Sequence, residues 1–121
     1  SAQKGNMIKI FGLTFFYSLL LAFMMPALVV HQMGALGMIG GPNMIASAEP
    51  SYTAFMTDYG DHFRTFKHGA LHGFMSGIFL ALPVIAINSL FEQKSWKYIA
   101  ITAGYWTVIM TIMGAIICGW K

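Results

Sequence analysis

HGALHGFMSG, residues 68–77, opens a long apolar segment and carries two ridges at helical spacing. His68, His72 and Ser76 recur every four residues, and so do Gly69, Gly73 and Gly77. Four-residue spacing puts each set on one face of a helix. The glycine ridge lets a second helix approach closely, as small residues do between membrane helices. The adjoining ridge sets two titratable, metal-competent imidazoles at the mouth of the same helix. The segment reads as a membrane-embedded packing unit with a candidate site.

Composition sets the class. Of 121 residues, 57% are hydrophobic and only 9% charged, against roughly 25% charged in an ordinary soluble domain. The net charge of +3 comes from lysines flanking apolar segments. No basic cluster of the kind that tracks phosphates is present, so nucleic acid is set aside as a partner. The single cysteine, Cys118, lies in an apolar run, which excludes an intramolecular disulfide and reads as a small buried hydrophobe. The stretch from Ser1 to Met7 lacks the pattern of a signal peptide.

Three segments are long enough to cross a hydrocarbon core of about 30 Å at about 1.5 Å per residue. The first runs from about 8 to 30, with Lys9 placed to snorkel and Pro26 placed to loosen the last turns. A second covers about 66–91, with Asp61 as a plausible N-cap near its start. Pro83 in its middle frees the carbonyl of Phe79 and predicts a kink, and Asn88 should seek a partner on a neighbouring helix. The third, about 96–120, is bracketed by Trp96 and Trp120, as at headgroup levels. Its small residues Ala100 with Gly104, and Gly114 with Cys118, are candidate contacts for the glycine ridge.

The polar link Glu92-Gln93-Lys94-Ser95 makes the second and third helices antiparallel neighbours. Glu92, Lys94 and Lys97 read as interfacial anchors, or as a contact for a partner subunit or acidic lipid. About 35 residues, 31–65, join the first two spans. Within them GGPN (40–43) reads as a turn, and Tyr52 to Tyr59 as a short interfacial helix capped by Ser51. Lys4, Lys9, Lys94 and Lys97 on one side outnumber Arg64, Lys67 and Lys121 on the other. That count puts the amino terminus inside and the long loop outside.

This topology gathers all four histidines, His31, His62, His68 and His72, at one membrane side. A histidine pair at i, i+4 suits zinc or haem ligation. With Met33, Met38, Met44 and Met56 on the same side, copper is a further reading. The plainer reading makes these imidazoles interfacial hydrogen-bonding groups and the methionines gap fillers. Asp58 and Asp61 sit where they could orient the His62 ring, or simply stand as solvated charges at a helix start. No nucleophile elbow, phosphate loop or CxxC motif occurs, so no catalytic residue and no cofactor is assigned.

The second half of the chain resembles a bacterial membrane-protein family known as domain-of-unknown-function family 1761. Asn88, Leu90, Phe91 and Glu92 end one helix, a lysine-bearing link follows, then Gly104-Tyr105 and a small-residue ending at Gly119-Trp120. The resemblance covers about the last 55 residues well and the first span loosely. It implies a four-helix membrane protein, of which the first helix would lie ahead of Ser1. It carries no reaction or substrate.

The expectation is therefore an all-α, polytopic integral membrane protein: one membrane domain over residues 1–121, a small antiparallel bundle with three transmembrane helices. Gly69, Gly73 and Gly77 should pack on Ala100, Gly104 and Gly114. The expected function is a non-enzymatic accessory or scaffolding subunit in a bacterial inner membrane, with the lipid bilayer and partner subunits or further copies around it. The alternative is a membrane-embedded module that binds or transports a ligand, metal, haem or quinone on the His68/His72 face.

Overall fold

The computed structural model describes residues 6–121, so Lys4 of the flanking-charge count lies outside the described residues. The described chain is helical: α1 (Met7–Val29), α2 (Gln32–Met38), α3 (Pro50–Tyr59), α4 (Phe66–Ser76), α5 (Leu82–Phe91) and α6 (Trp96–Gly119). A 3-10 turn, Pro42–Ser47, lies between α2 and α3, and a π-turn, Gly77–Ala81, joins α4 to α5. Three continuous helices are long and apolar enough to cross a membrane: Met7–Val29, Phe66–Phe91 and Trp96–Gly119.

Cap chemistry sets the helix ends. Asn6 accepts from the backbone N–H groups of Ile8 and Lys9 to start α1. Thr65, and not Asp61, caps α4 by accepting from His68 N–H. Asp61 instead lies in the turn before it, where Arg64 N–H donates to the Asp61 carbonyl. α3 starts at Pro50, two residues before Tyr52, with Glu49 and not Ser51 at its N-cap position, because Pro50 at its first position has its backbone angle already fixed. Ser95 caps α6 through Tyr98 N–H.

The link between α5 and α6 closes as a Schellman motif. Gln93 takes a left-handed φ of 60°, Lys94 N–H reaches Ser89 O at 2.8 Å and Gln93 N–H reaches Leu90 O at 3.1 Å. These bonds satisfy the last carbonyls of α5 and turn the chain back on itself, making the antiparallel hairpin.

Glycines bring the hairpin's helices to backbone contact. A methyl group on Gly69 would overlap the Gly114 carbonyl, one on Gly73 the Met110 carbonyl, and one on Gly77 the Cα and side chain of Thr107. The face of α6 that receives them is Ile99, Ala103, Thr107, Met110, Gly114 and Cys118. Ala100 and Gly104 are exposed, and a methyl group on Gly104 would meet nothing within 4 Å. They sit one position past Ile99 and Ala103, and one residue rotates a helix by about 100°. Asn88 is likewise exposed, while Ser89 beside it is buried.

Only the carboxyl-terminal end of α1 docks on the hairpin. Met25, Val29 and Val30 form a core with Met110 and Cys118. Val29 fits against Gly114, where only a glycine leaves room. Toward its amino terminus α1 is exposed from Met7 to Leu20. The end of α1, the start of α4 and the end of α6 therefore meet at one end of the bundle. The segment 31–65, mostly helical, folds over that end.

A three-histidine cluster at one end of the bundle

His31 follows the end of α1 and occupies the cap position of α2, yet its side chain makes no cap bond. His68 and His72 lie one turn apart on α4. The structure joins these three and leaves His62 out. His31 Nε2 lies 3.0 Å from His68 Nε2, and His72 Nε2 lies 3.0 Å from the same atom. One ligand atom from each residue falls within 4.8 Å of the other two. His31 is exposed and the other two are half-buried.

The elements around the cluster are tied down by polar contacts that the sequence did not signal. Gln32, next to His31, donates from Nε2 to the carbonyls of Tyr59 (2.8 Å) and His62 (2.7 Å), fastening α2 to the end of α3. Both partners are acceptors, which fixes the amide orientation. Its Oε1 is buried with no hydrogen-bond partner among the described residues. A cavity of about 210 Å³ adjoins the cluster, walled by His31, Gln32, Phe55, Tyr59, His62 and Phe63.

Phe63 is the least expected member of this neighbourhood. Its backbone takes φ 63°, a conformation that favours Gly or Asn. Its ring stacks on His68 at 4.8 Å between centroids and 30° between planes. It also meets the His31 ring edge-on at 5.3 Å. The turn that carries it is anchored to the end of α6. Cys118 Sγ donates to Phe63 O at 3.1 Å. The neighbouring Arg64 donates from Nε to Cys118 O (2.8 Å) and from one terminal nitrogen to Trp120 O (2.8 Å) and Ile117 O (3.2 Å). These carbonyls close a helix end, where a cation is also favoured by the helix dipole. Arg64 thus serves as a structural clamp rather than as a flanking charge alone.

His62 stands apart. Its ring is edge-on to Tyr59 at 5.0 Å, and no carboxylate hydrogen-bonds to it among the described residues, so Asp58 and Asp61 do not orient it. Of the loop methionines, Met33, Met38 and Met44 are exposed and Met56 is half-buried.

Chemically, three imidazoles within reach of one point can share protons, hold a ligand by hydrogen bonds, or donate lone pairs to a cation. Fold and cluster together define a small polytopic membrane protein with a polar site at one end of its bundle. The chain belongs to the family described as Protein of unknown function (DUF1761), whose family model matches residues 1–118. No curated protein and no solved structure matches the chain.

Proposed function

We propose that this protein is a membrane-embedded ligand-binding module whose ligand is held at His31, His68 and His72. The observation that carries the reading is the arrival of His31 beside His68, two residues 37 positions apart in sequence, at an Nε2 separation of 3.0 Å. A ridge of histidines on one helix is satisfied by water or headgroups at an interface. A third imidazole brought in by another helix concentrates ring nitrogens at one point, an arrangement suited to a bound ligand. The test is purification in mild detergent, followed by metal analysis, a visible spectrum and extraction of bound quinone. A species present in the native protein and absent from His72→Ala supports the reading. A protein that carries none of the three overturns it.

A second reading, an accessory or scaffolding subunit of a larger complex in a bacterial inner membrane, is favoured by apolar surface that the chain leaves uncovered. An apolar groove of about 510 Å³ runs past Phe74, Ile78, Leu82, Trp96, Ala100 and Gly104. A cleft of about 360 Å³ separates α1 from the hairpin beside Leu21, Leu80, Val84 and Trp106. Helices of partner subunits, or further copies of this chain, would fill such surfaces by close packing. Cross-linking in the native membrane that yields only the monomer overturns this reading.

A further inference from the structure

Resting on the ligand-binding reading, we infer that the ligand is a single borderline d-block metal ion such as Zn²⁺, Co²⁺ or Cu²⁺. It is held by the Nε2 atoms of His31, His68 and His72, with a further coordination position left open.

The separations fit a metal centre. Imidazole nitrogens bind zinc at about 2.0–2.1 Å, so two of them on a tetrahedral ion stand about 3.4 Å apart. Two of the Nε2 pairs here stand at 3.0 Å, and one ring nitrogen from each of the three residues lies within 4.8 Å of the other two. Small ring rotations bring them to coordination distance. His31 approaches from the α1–α2 junction and the other two from α4, so the ring planes differ, by 48° for His31 with His68 and 88° for His31 with His72. Lone pairs from such rings converge on a point from separate directions, as a three-coordinate face requires.

Hydrogen bonding alone leaves the cluster incompletely satisfied. His68 Nε2 has both other Nε2 atoms at 3.0 Å. A neutral ring nitrogen carries either one proton or one lone pair, so it forms one good hydrogen bond in its plane and not two. A cation that accepts a lone pair from each ring satisfies all three at once.

The donor set selects the class of ion. Mg²⁺ and Ca²⁺ take oxygen ligands, and neither Asp58 nor Asp61 belongs to the cluster. Soft thiolate chemistry is absent too, because Cys118 points its Sγ at Phe63 O. All-imidazole sites suit zinc, copper, cobalt and nickel. A porphyrin does not fit between the rings: pairs at 3.0 Å leave no slot for a macrocycle. Three protein ligands with an open position distinguish exchangeable or reactive zinc centres from closed structural ones. The exposed His31 gives the ion a route in from the loop side.

The experiment uses tag-free protein in mild detergent, stripped with a chelator and titrated with Co²⁺, whose visible bands report coordination. The expected result is one equivalent of Co²⁺ bound, displaced by Zn²⁺ and not by Mg²⁺ or Ca²⁺. Loss of outer-shell partners alone weakens metal sites by about 10–100-fold. His31→Ala, His68→Ala and His72→Ala should each therefore cost about 100-fold or more in affinity, while His62→Ala leaves it unchanged. Far-ultraviolet dichroism checks the fold, and the exposed His31 supplies the variant least able to disturb it. Equal binding by all variants, or equal affinity for Ca²⁺, overturns the metal site. If Co²⁺ does not bind but a chromophore or quinone co-purifies and is lost in His72→Ala, the metal assignment fails and the ligand-binding reading stands. If nothing binds, both fail.

Discussion

The ring of Phe63 lies nearly parallel to that of His68, 4.8 Å away, and it does so from a backbone conformation that bulky residues avoid. The turn from Asp61 to Arg64 places a positive φ at its third residue, where Gly or Asn is usual. Such local strain persists only where surrounding contacts over-determine it. Here the contacts are Cys118 on the Phe63 carbonyl and Arg64 on the end of α6. The strained turn holds an aromatic lid against two of the three imidazoles.

Phe63→Gly separates strain from function. Relief of the left-handed backbone is worth about 1–2 kcal/mol, and loss of the ring contacts costs about 0.5–1.5 kcal/mol. The thermal midpoint in detergent should therefore stay roughly level or rise slightly. Co²⁺ affinity should fall, because His68 and His31 lose the ring that orients them. A midpoint that drops together with unchanged affinity would show the opposite division of labour.

The glycine contacts give a paired comparison. Gly69→Ala and Gly73→Ala drive a methyl group into backbone carbonyls of α6, which cannot move aside as a side-chain tip does. Each should destabilise the hairpin by about 1–3 kcal/mol, the usual range for overpacking. Gly104→Ala meets open space and gains helix propensity of up to about 1 kcal/mol, so it should be neutral or mildly stabilising. Denaturant midpoints of the three variants in one detergent decide the matter.

Removal of the Arg64 clamp should loosen a defined region. Arg64→Ala strands the carbonyls of Ile117, Cys118 and Trp120. With the site half-buried, the loss is about 1–2 kcal/mol. Amide exchange should accelerate in the last turn of α6 and in residues 61–65, and stay unchanged in the α5–α6 link. Arg64→Lys should restore little, since an ammonium lacks the planar fork that reaches several carbonyls at once.

The spans, the hairpin and the gathering of histidines at one end were legible because they depend on composition and spacing. Apolar length identifies α1 and α6, and the four-residue spacing of Gly69, Gly73 and Gly77 identifies a contact face. What escaped depends on geometry that no single segment encodes. His31 reaches the cluster only because Met25 and Val29 dock α1 against Met110 and Gly114. Phe63 lies in a turn whose residues DHFR carry no glycine signal for a positive φ. Arg64 reads as a flanking charge until the end of α6 stands beside it. Rotational phase is not legible from four-residue spacing either: Ala100 and Gly104 have the spacing of a contact face, yet they are exposed, as is Asn88.

The placement of Asn88 and Ser89 turns on the helix phase around Pro83, and it yields the final prediction. An α-helix turns about 400° in four residues, so a stripe at four-residue spacing drifts by about 40° per step. From Gly69 the inner positions run 69, 73, 77, 81, 85 and 89, ending on the buried Ser89. Five such steps in a regular α-helix would carry Ser89 about 200° away, to the opposite face. The π-turn Gly77–Ala81, where Leu82 N–H bonds to Gly77 O, takes up an extra residue and corrects part of the drift. Pro83 has no N–H for the Phe79 carbonyl, so the regular pattern is already broken at this point. Beyond this break the structure buries Ser89 and exposes Asn88. Ser89→Leu should thus overpack the interface with α6 and destabilise by about 1–3 kcal/mol, whereas Asn88→Leu should be neutral or stabilising in detergent or bilayer. Equal effects of the two substitutions on the denaturation midpoint would mean that positions 88 and 89 do not differ in burial in the folded protein.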